Sequence, residues 1–114
     1  MDALIIEDEI LASKHLRQVL GEAGDIKIIA VLESISETIE WFTKNPEPDI
    51  VFMDIHLADG SAFEIFDRTE IRCPVIVVKI IGFDGRVRSV LVLGSPRQFS
   101  QIAQRVYRFA SVSF

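Results

Sequence analysis

The sequence predicts an α/β domain built on one doubly wound sheet, mostly parallel, with strand order 2-1-3-4-5. Strand-like and helix-like segments alternate through the first two thirds of the 114 residues. That alternation is the signature of a parallel sheet with helices on both faces. The third strand-like run is apolar on both of its faces, as a central parallel strand must be. The chain is long enough for one domain around one core.

The elements follow in order. "ALII" (3–6) is a short apolar run rich in branched residues and reads as a buried strand. It ends in the acids "EDE" (7–9). Ala12, Leu16, Val19, Leu20 and Ala23 then recur at helical spacing, and Gly24 is a suitable stop. "IKIIAVL" (26–32) is the second strand. In "SISE" (34–37), Ser34 and Glu37 form a capping box that opens a second helix through Ile39 and Phe42. "NPEP" (45–48) breaks it. "DIVFMDI" (49–55) is the third strand. "SAFE" (61–64) reads as another capping box, opening a short helix with Phe63 and Phe66. "CPVIVV" (73–78) is the fourth strand.

The pattern then changes. "KIIGFDGRVRSVLVLG" (79–94) has no helical period, and Asp84-Gly85 between two apolar runs is a hairpin signal. A parallel crossover needs about a dozen residues, which 79–89 scarcely supply. The fourth helix is therefore expected to be shortened or missing. Two arrangements compete: a parallel fifth strand after a stunted crossover, or a hairpin with an antiparallel last strand. Ser95 as N-cap, Pro96 and Gln98 then open a final helix with Phe99, Ile102, Ala103, Val106 and Ala110 on one face.

Composition narrows the function. Net charge is −5, which argues against a nucleic-acid-binding surface over the whole domain. All 17 acids lie at or before Asp84, and the five arginines after it have no acid among them. That asymmetry marks either a partner surface or solvated arginines on the last helix. It is also what an altered reading frame or an engineered segment after about Ile76 would give, although the patterned final helix argues against that. No stretch approaches the roughly 20 apolar residues of a membrane span. The opening "MDALIIEDE" lacks the basic region of a secretory signal. Cys73 is the only cysteine, so no internal disulfide can form. A cytoplasmic protein is the expectation.

The acids carry the chemistry. Ligands of open α/β sheets sit beyond the carboxyl ends of the strands, where strand order reverses, here between the first and third strands. Those strands end in Glu7-Asp8 and in Asp54. Neighbouring strands lie about 4.8 Å apart, so the three carboxylates should share one crevice. They cannot all stay ionised at such close range unless a cation joins them. Oxygen ligands with waters suit Mg²⁺, especially where a phosphate will bind. Asp54 is then placed as a nucleophile toward phosphorus. The backbone carbonyl of His56 is a further metal ligand in this reading, while its side chain is a surface group. Taken singly, Asp8 could cap the first helix and Glu7 could be a solvated strand end.

"ALIIEDE", "PDIVFMDIHLADGSAFEIF" and "CPVIVV" closely resemble the receiver domain of two-component response regulators. "MDIHLADG" is most similar to the branch attached to LytTR-type DNA-binding domains. The resemblance runs from residue 1 to about 78, with 79–114 atypical within one domain. It implies a flavodoxin-like fold, Mg²⁺ on Glu7 and Asp8, and Asp54 as acceptor of phosphate from a sensor histidine kinase. It implies a switch for transcription regulation whose catalysis is limited to its own phosphorylation and hydrolysis. DNA would be bound only through an effector domain beyond this chain. A homodimer through the last strand and helix is the expected output contact.

The resemblance breaks down at specific positions. The family's Thr or Ser at the end of strand four falls on Lys79. Its Lys after strand five falls on Ser95, and its strand-five aromatic is missing from Val90, Leu91, Val92 and Leu93. The ammonium of Lys79 could serve as a phosphate or pocket cation in place of the displaced Lys, or it could simply reach solvent. In the hairpin arrangement Ser95 lies at the wrong end of the sheet to serve Asp54. The rival reading is a pseudo-receiver, a phosphorylation-independent interaction module with a vestigial acidic pocket. A phosphatase with an Asp nucleophile ranks third, because His56 stands where its second acid would be.

Overall fold

The computed structural model describes residues 1–80 except 23 and 55, together with strand 87–93; for 78–80 and 87–93 it describes the backbone alone. In chain order the elements are β1 (Asp2–Ile6), α1 (Ile10–Glu22), β2 (Lys27–Leu32), α2 (Ile35–Lys44) and β3 (Ile50–Met53). Then come β4 (His56–Leu57), β5 (Gly60–Ser61), α3 (Glu64–Arg68), β6 (Val75–Ile80) and β7 (Val87–Leu93). The main sheet has the order β2-β1-β3-β6-β7, and β4-β5 is a separate two-stranded hairpin. This is the expected flavodoxin-like order, with β6 and β7 as the fourth and fifth strands.

β1 pairs in parallel with both β2 and β3, and β3 pairs in parallel with β6. β7 is antiparallel to β6, from Val75↔Leu93 to Ile80↔Val87. The hairpin arrangement therefore holds, and the parallel fifth strand is corrected. Six residues separate β6 from β7, too few to carry a chain back for a parallel return. The final helix anticipated from Ser95 onward lies outside the described residues.

Alternation along the strands builds two cores. Ala3, Ile5, Ile50, Phe52 and Ile76 face Leu16, Val19 and Leu20 of α1. Leu4, Ile6, Val51, Met53, Val75 and Val77 face the other way, toward Ile35, Leu57, Ala62 and Ile65. Period two in the strands thus feeds helices on both faces. β3 is buried along its whole length. A register shift between Ala3 and Leu4 leaves Ile29 of β2 out of step, and its side chain is exposed.

Local chemistry sets the helix ends. Ser34 Oγ accepts from the Glu37 amide at 3.1 Å, while Glu37 Oε2 reaches back to the Glu33 amide at 2.9 Å. The box at Ser34 forms, although its acid bonds one residue earlier than usual. α1 ends at Glu22, and Gly24 follows with φ +92°, a conformation open to glycine. The box expected at Ser61 does not form. Ser61 Oγ accepts from the Phe63 amide at 3.3 Å, and α3 starts only at Glu64. Ser61 is already used by the β4–β5 hairpin, opposite His56, so the helix begins after that hairpin has closed.

Candidate functional site

β1 and β3 run side by side, with Ile6 opposite Met53. Their next residues, Glu7 and Asp54, therefore leave the sheet together at its carboxyl rim. Two backbone bonds continue the ladder past the strand ends. The Glu7 amide donates to Leu32 O at 2.8 Å, and the Asp54 amide donates to Ile6 O at 2.9 Å. Asp8 follows Glu7 into the same crevice. Carboxylate oxygens of Glu7, Asp8 and Asp54 all lie within 4.8 Å of one another.

The three acids are not equivalent. Glu7 is only 2% exposed, whereas Asp8 and Asp54 are half-buried. Glu7 Oε1 accepts from the Glu9 amide at 3.0 Å. Its Oε2 is buried without any hydrogen-bond partner among the described residues. Burial, aided by the charge of Asp54 and opposed by the Glu9 amide, pushes the Glu7 carboxyl from 4.5 up to about 8. An ionised carboxylate oxygen with no donor is costly in such a place. A proton or a cation on Oε2 relieves that cost. An all-oxygen donor set of this kind fits a hard divalent ion rather than a thiophilic one.

His56 opens β4, directly across from Ser61, and its side chain is exposed as expected. Lys79 occupies a β6 register position opposite Ser89, two residues beyond Val77, which pairs with Met53. Its backbone therefore lies toward the Asp54 rim, while its side chain is outside the described residues. Ser95 is also outside them. The last described residue of β7, Leu93, pairs with Val75 at the opposite end of β6.

One residue was missed from sequence. Asp59, in the turn between β4 and β5, sends its carboxylate to the start of α2. Oδ1 accepts from the Ile35 amide at 2.9 Å, and Oδ2 accepts from the Ser36 amide and hydroxyl, each at 3.3 Å. These bonds, the Ile35 amide first, hold its carboxyl below the usual range. The only local sign of this was an acid before a turn glycine, which is common wherever chains turn.

No protein-family model matches the chain. Over 65 residues, 57% of this chain, it is 37% identical to the sensory transduction protein LytT of Bacillus anthracis. The solution structure of the PhyR response regulator REC domain of Erythrobacter litoralis is 32% identical, with a TM-score of 0.52. That likeness covers 67% of this chain and 60% of the other. In sequence over those matched residues, and in the order of its sheet, the chain is similar to response-regulator receiver domains. A MaeR response regulator bound to beryllium trifluoride shares the fold at 20% identity and a TM-score of 0.62, over 95% of this chain and 97% of its own. The receiver-like match spans only 26–28% of the curated relatives' length. Among the described residues no helix is long and apolar enough to cross a membrane.

Proposed function

We infer that the domain is a phosphoacceptor switch, with Asp54 as the residue that takes the phosphoryl group. The observation that carries this reading is the meeting of Glu7, Asp8 and Asp54 within 4.8 Å at one rim of the sheet. A carboxylate oxygen of Asp54 attacks the phosphorus of a phosphohistidine on a sensor histidine kinase. A phosphorus–oxygen bond forms, the phosphorus–nitrogen bond breaks, and the imidazole leaves with the electron pair. Mg²⁺ on oxygens of Glu7, Asp8 and Asp54, with the His56 backbone carbonyl, would offset the negative charge brought by the phosphoryl group. Asp54 is half-buried, which leaves its nucleophile reachable. Water returns the domain to its resting form, so its catalysis is confined to its own modification.

The output we assign is transcription regulation of the LytTR type, through an effector domain beyond this chain. The run "MDIHLADG" and the LytT likeness support that assignment. Lys79, at its register position near the Asp54 rim, is the residue we assign as pocket cation in place of the displaced family Lys.

The test is intact mass after incubation with acetyl phosphate, with and without Mg²⁺, beside Asp54→Asn. One added phosphoryl group is expected on the wild type with Mg²⁺ and none on the variant. The same mass gain in the two proteins, or no gain in either, would refute the reading.

One observation favours the second reading, a pseudo-receiver. β7 is antiparallel, so its carboxyl end lies by Val75 rather than by Asp54. The strand that normally brings a Lys to the phosphate points away from it. In that case the same experiment gives no phosphorylation, and the domain binds its partner equally well as Asp54→Asn.

A further inference from the structure

After Asp54, residues 56–61 form a hairpin that is fixed at several points outside the acidic cluster. Leu57 is buried in the core on the α2 side of the sheet. Gly60 adopts φ +140°, and a Cβ there would stand 3.2 Å from Ile35 Cδ1 and 3.3 Å from Glu64 Oε2. Between these two points, the carboxylate of Asp59 takes three hydrogen bonds from Ile35 and Ser36. Amides of the first turn of a helix have no partner within that helix, so an external carboxylate is their natural acceptor. Ile35 thus meets this turn twice: its amide donates to Asp59, and its side chain leaves little room for a Cβ at Gly60.

We propose that Asp59 is a positioning residue for the acidic pocket: by tying the β4–β5 turn to α2, it fixes where the loop after Asp54 presents the His56 carbonyl. This rests on the reading of Glu7, Asp8 and Asp54 as a Mg²⁺ pocket. Asp59 is five residues from Asp54 in sequence and supplies no ligand itself. It acts through the two-strand hairpin, in which His56 faces Ser61 and Leu57 faces Gly60. The other end of the tether belongs to α2, the helix that follows β2. Without it, the hairpin would keep its Leu57 anchor but lose its fixed orientation toward the rim.

The test compares wild type, Asp59→Ala and Asp59→Asn by Mg²⁺ titration calorimetry, at a temperature where all three are fully folded. Amide exchange at Ile35 and Ser36 is followed alongside by NMR. Asp59→Ala is expected to weaken Mg²⁺ binding about tenfold or more, the usual scale for losing a group that orients a ligand, and to unprotect both amides. Asp59→Asn keeps an acceptor for the Ile35 amide but drops the charge, and should bind Mg²⁺ within about threefold of wild type. Equal weakening in both variants would assign the effect to charge and overturn the tether. Unchanged affinity in Asp59→Ala would overturn the proposal while leaving the Mg²⁺ pocket intact. If the wild type bound no Mg²⁺, the pocket itself would be refuted and the proposal with it.

Discussion

Glu7 lies at the closed end of the acidic cluster, and burial decides its proton before any neighbour does. Folded, its carboxyl titrates near 8; unfolded, near the ordinary 4.5. Between those values the folded protein keeps a proton that the unfolded chain has released. Stability from this group is therefore complete below about pH 4.5 and is lost as pH rises toward 8, by up to about 1.4 kcal/mol per pH unit. Glu7→Gln is expected to flatten that slope and to stabilise the metal-free fold at pH 8 by more than about 1 kcal/mol. Urea unfolding at pH 5 and pH 8 checks this; parallel pH dependence in both proteins would count against it. At this scale the sequence was most legible where an acid ended a strand. Glu7, Asp8 and Asp54 could be placed together because strand order alone joins them. Asp59 could not, since its partners in α2 lie 23 and 24 positions away in the chain, and nothing local announces them.

α2 shows how several weak devices share one helix start. Ser34 caps the Glu37 amide, Glu37 holds the Glu33 amide, and Asp59 covers Ile35 and Ser36. Ser34→Ala removes the first of these and should cost about 1 kcal/mol, read as a shift of the urea midpoint with unchanged slope. A loss above about 2 kcal/mol would mean that the caps depend on one another, because a single N-cap rarely exceeds that. The two Ser-x-x-Glu stretches illustrate the limits of pattern reading. Both satisfy the same rule, yet only the one at Ser34 caps a helix. At Ser61 the preceding residues close a hairpin first, and pairing with His56 takes the serine out of the helix start. The choice between them is made by Leu57 and Gly60, whose packing against α2 residues is not written in the four residues of the motif.

At the scale of the molecule, two apolar layers meet at β1 and β3 among the described residues. Phe52 is fully buried in the layer against α1. Phe52→Ala should cost about 3–5 kcal/mol, measurable by denaturant titration, and the Mg²⁺ affinity proposed for the rim should fall only in step with the unfolded fraction. A loss of Mg²⁺ binding in the folded variant would mean that the rim depends on this layer more closely than the packing implies. The parallel part of the architecture was legible because doubly buried strands leave long apolar runs between helical periods. The reversal at β7 was legible only as one of two options, from the shortness of the connection and from Asp84-Gly85.

That reversal has a spatial cost for signalling. Leu93 sits level with Val75, and Val75 is level with Val51, three residues before Asp54. Whatever polypeptide continues from there sets out roughly 10 Å farther back along the strand axis than Asp54. In an all-parallel sheet the same exit would open onto the rim that holds Asp54. Were Asp54 to take a phosphoryl group as proposed, the end of β7 would feel it only through the intervening strands, β3 and β6.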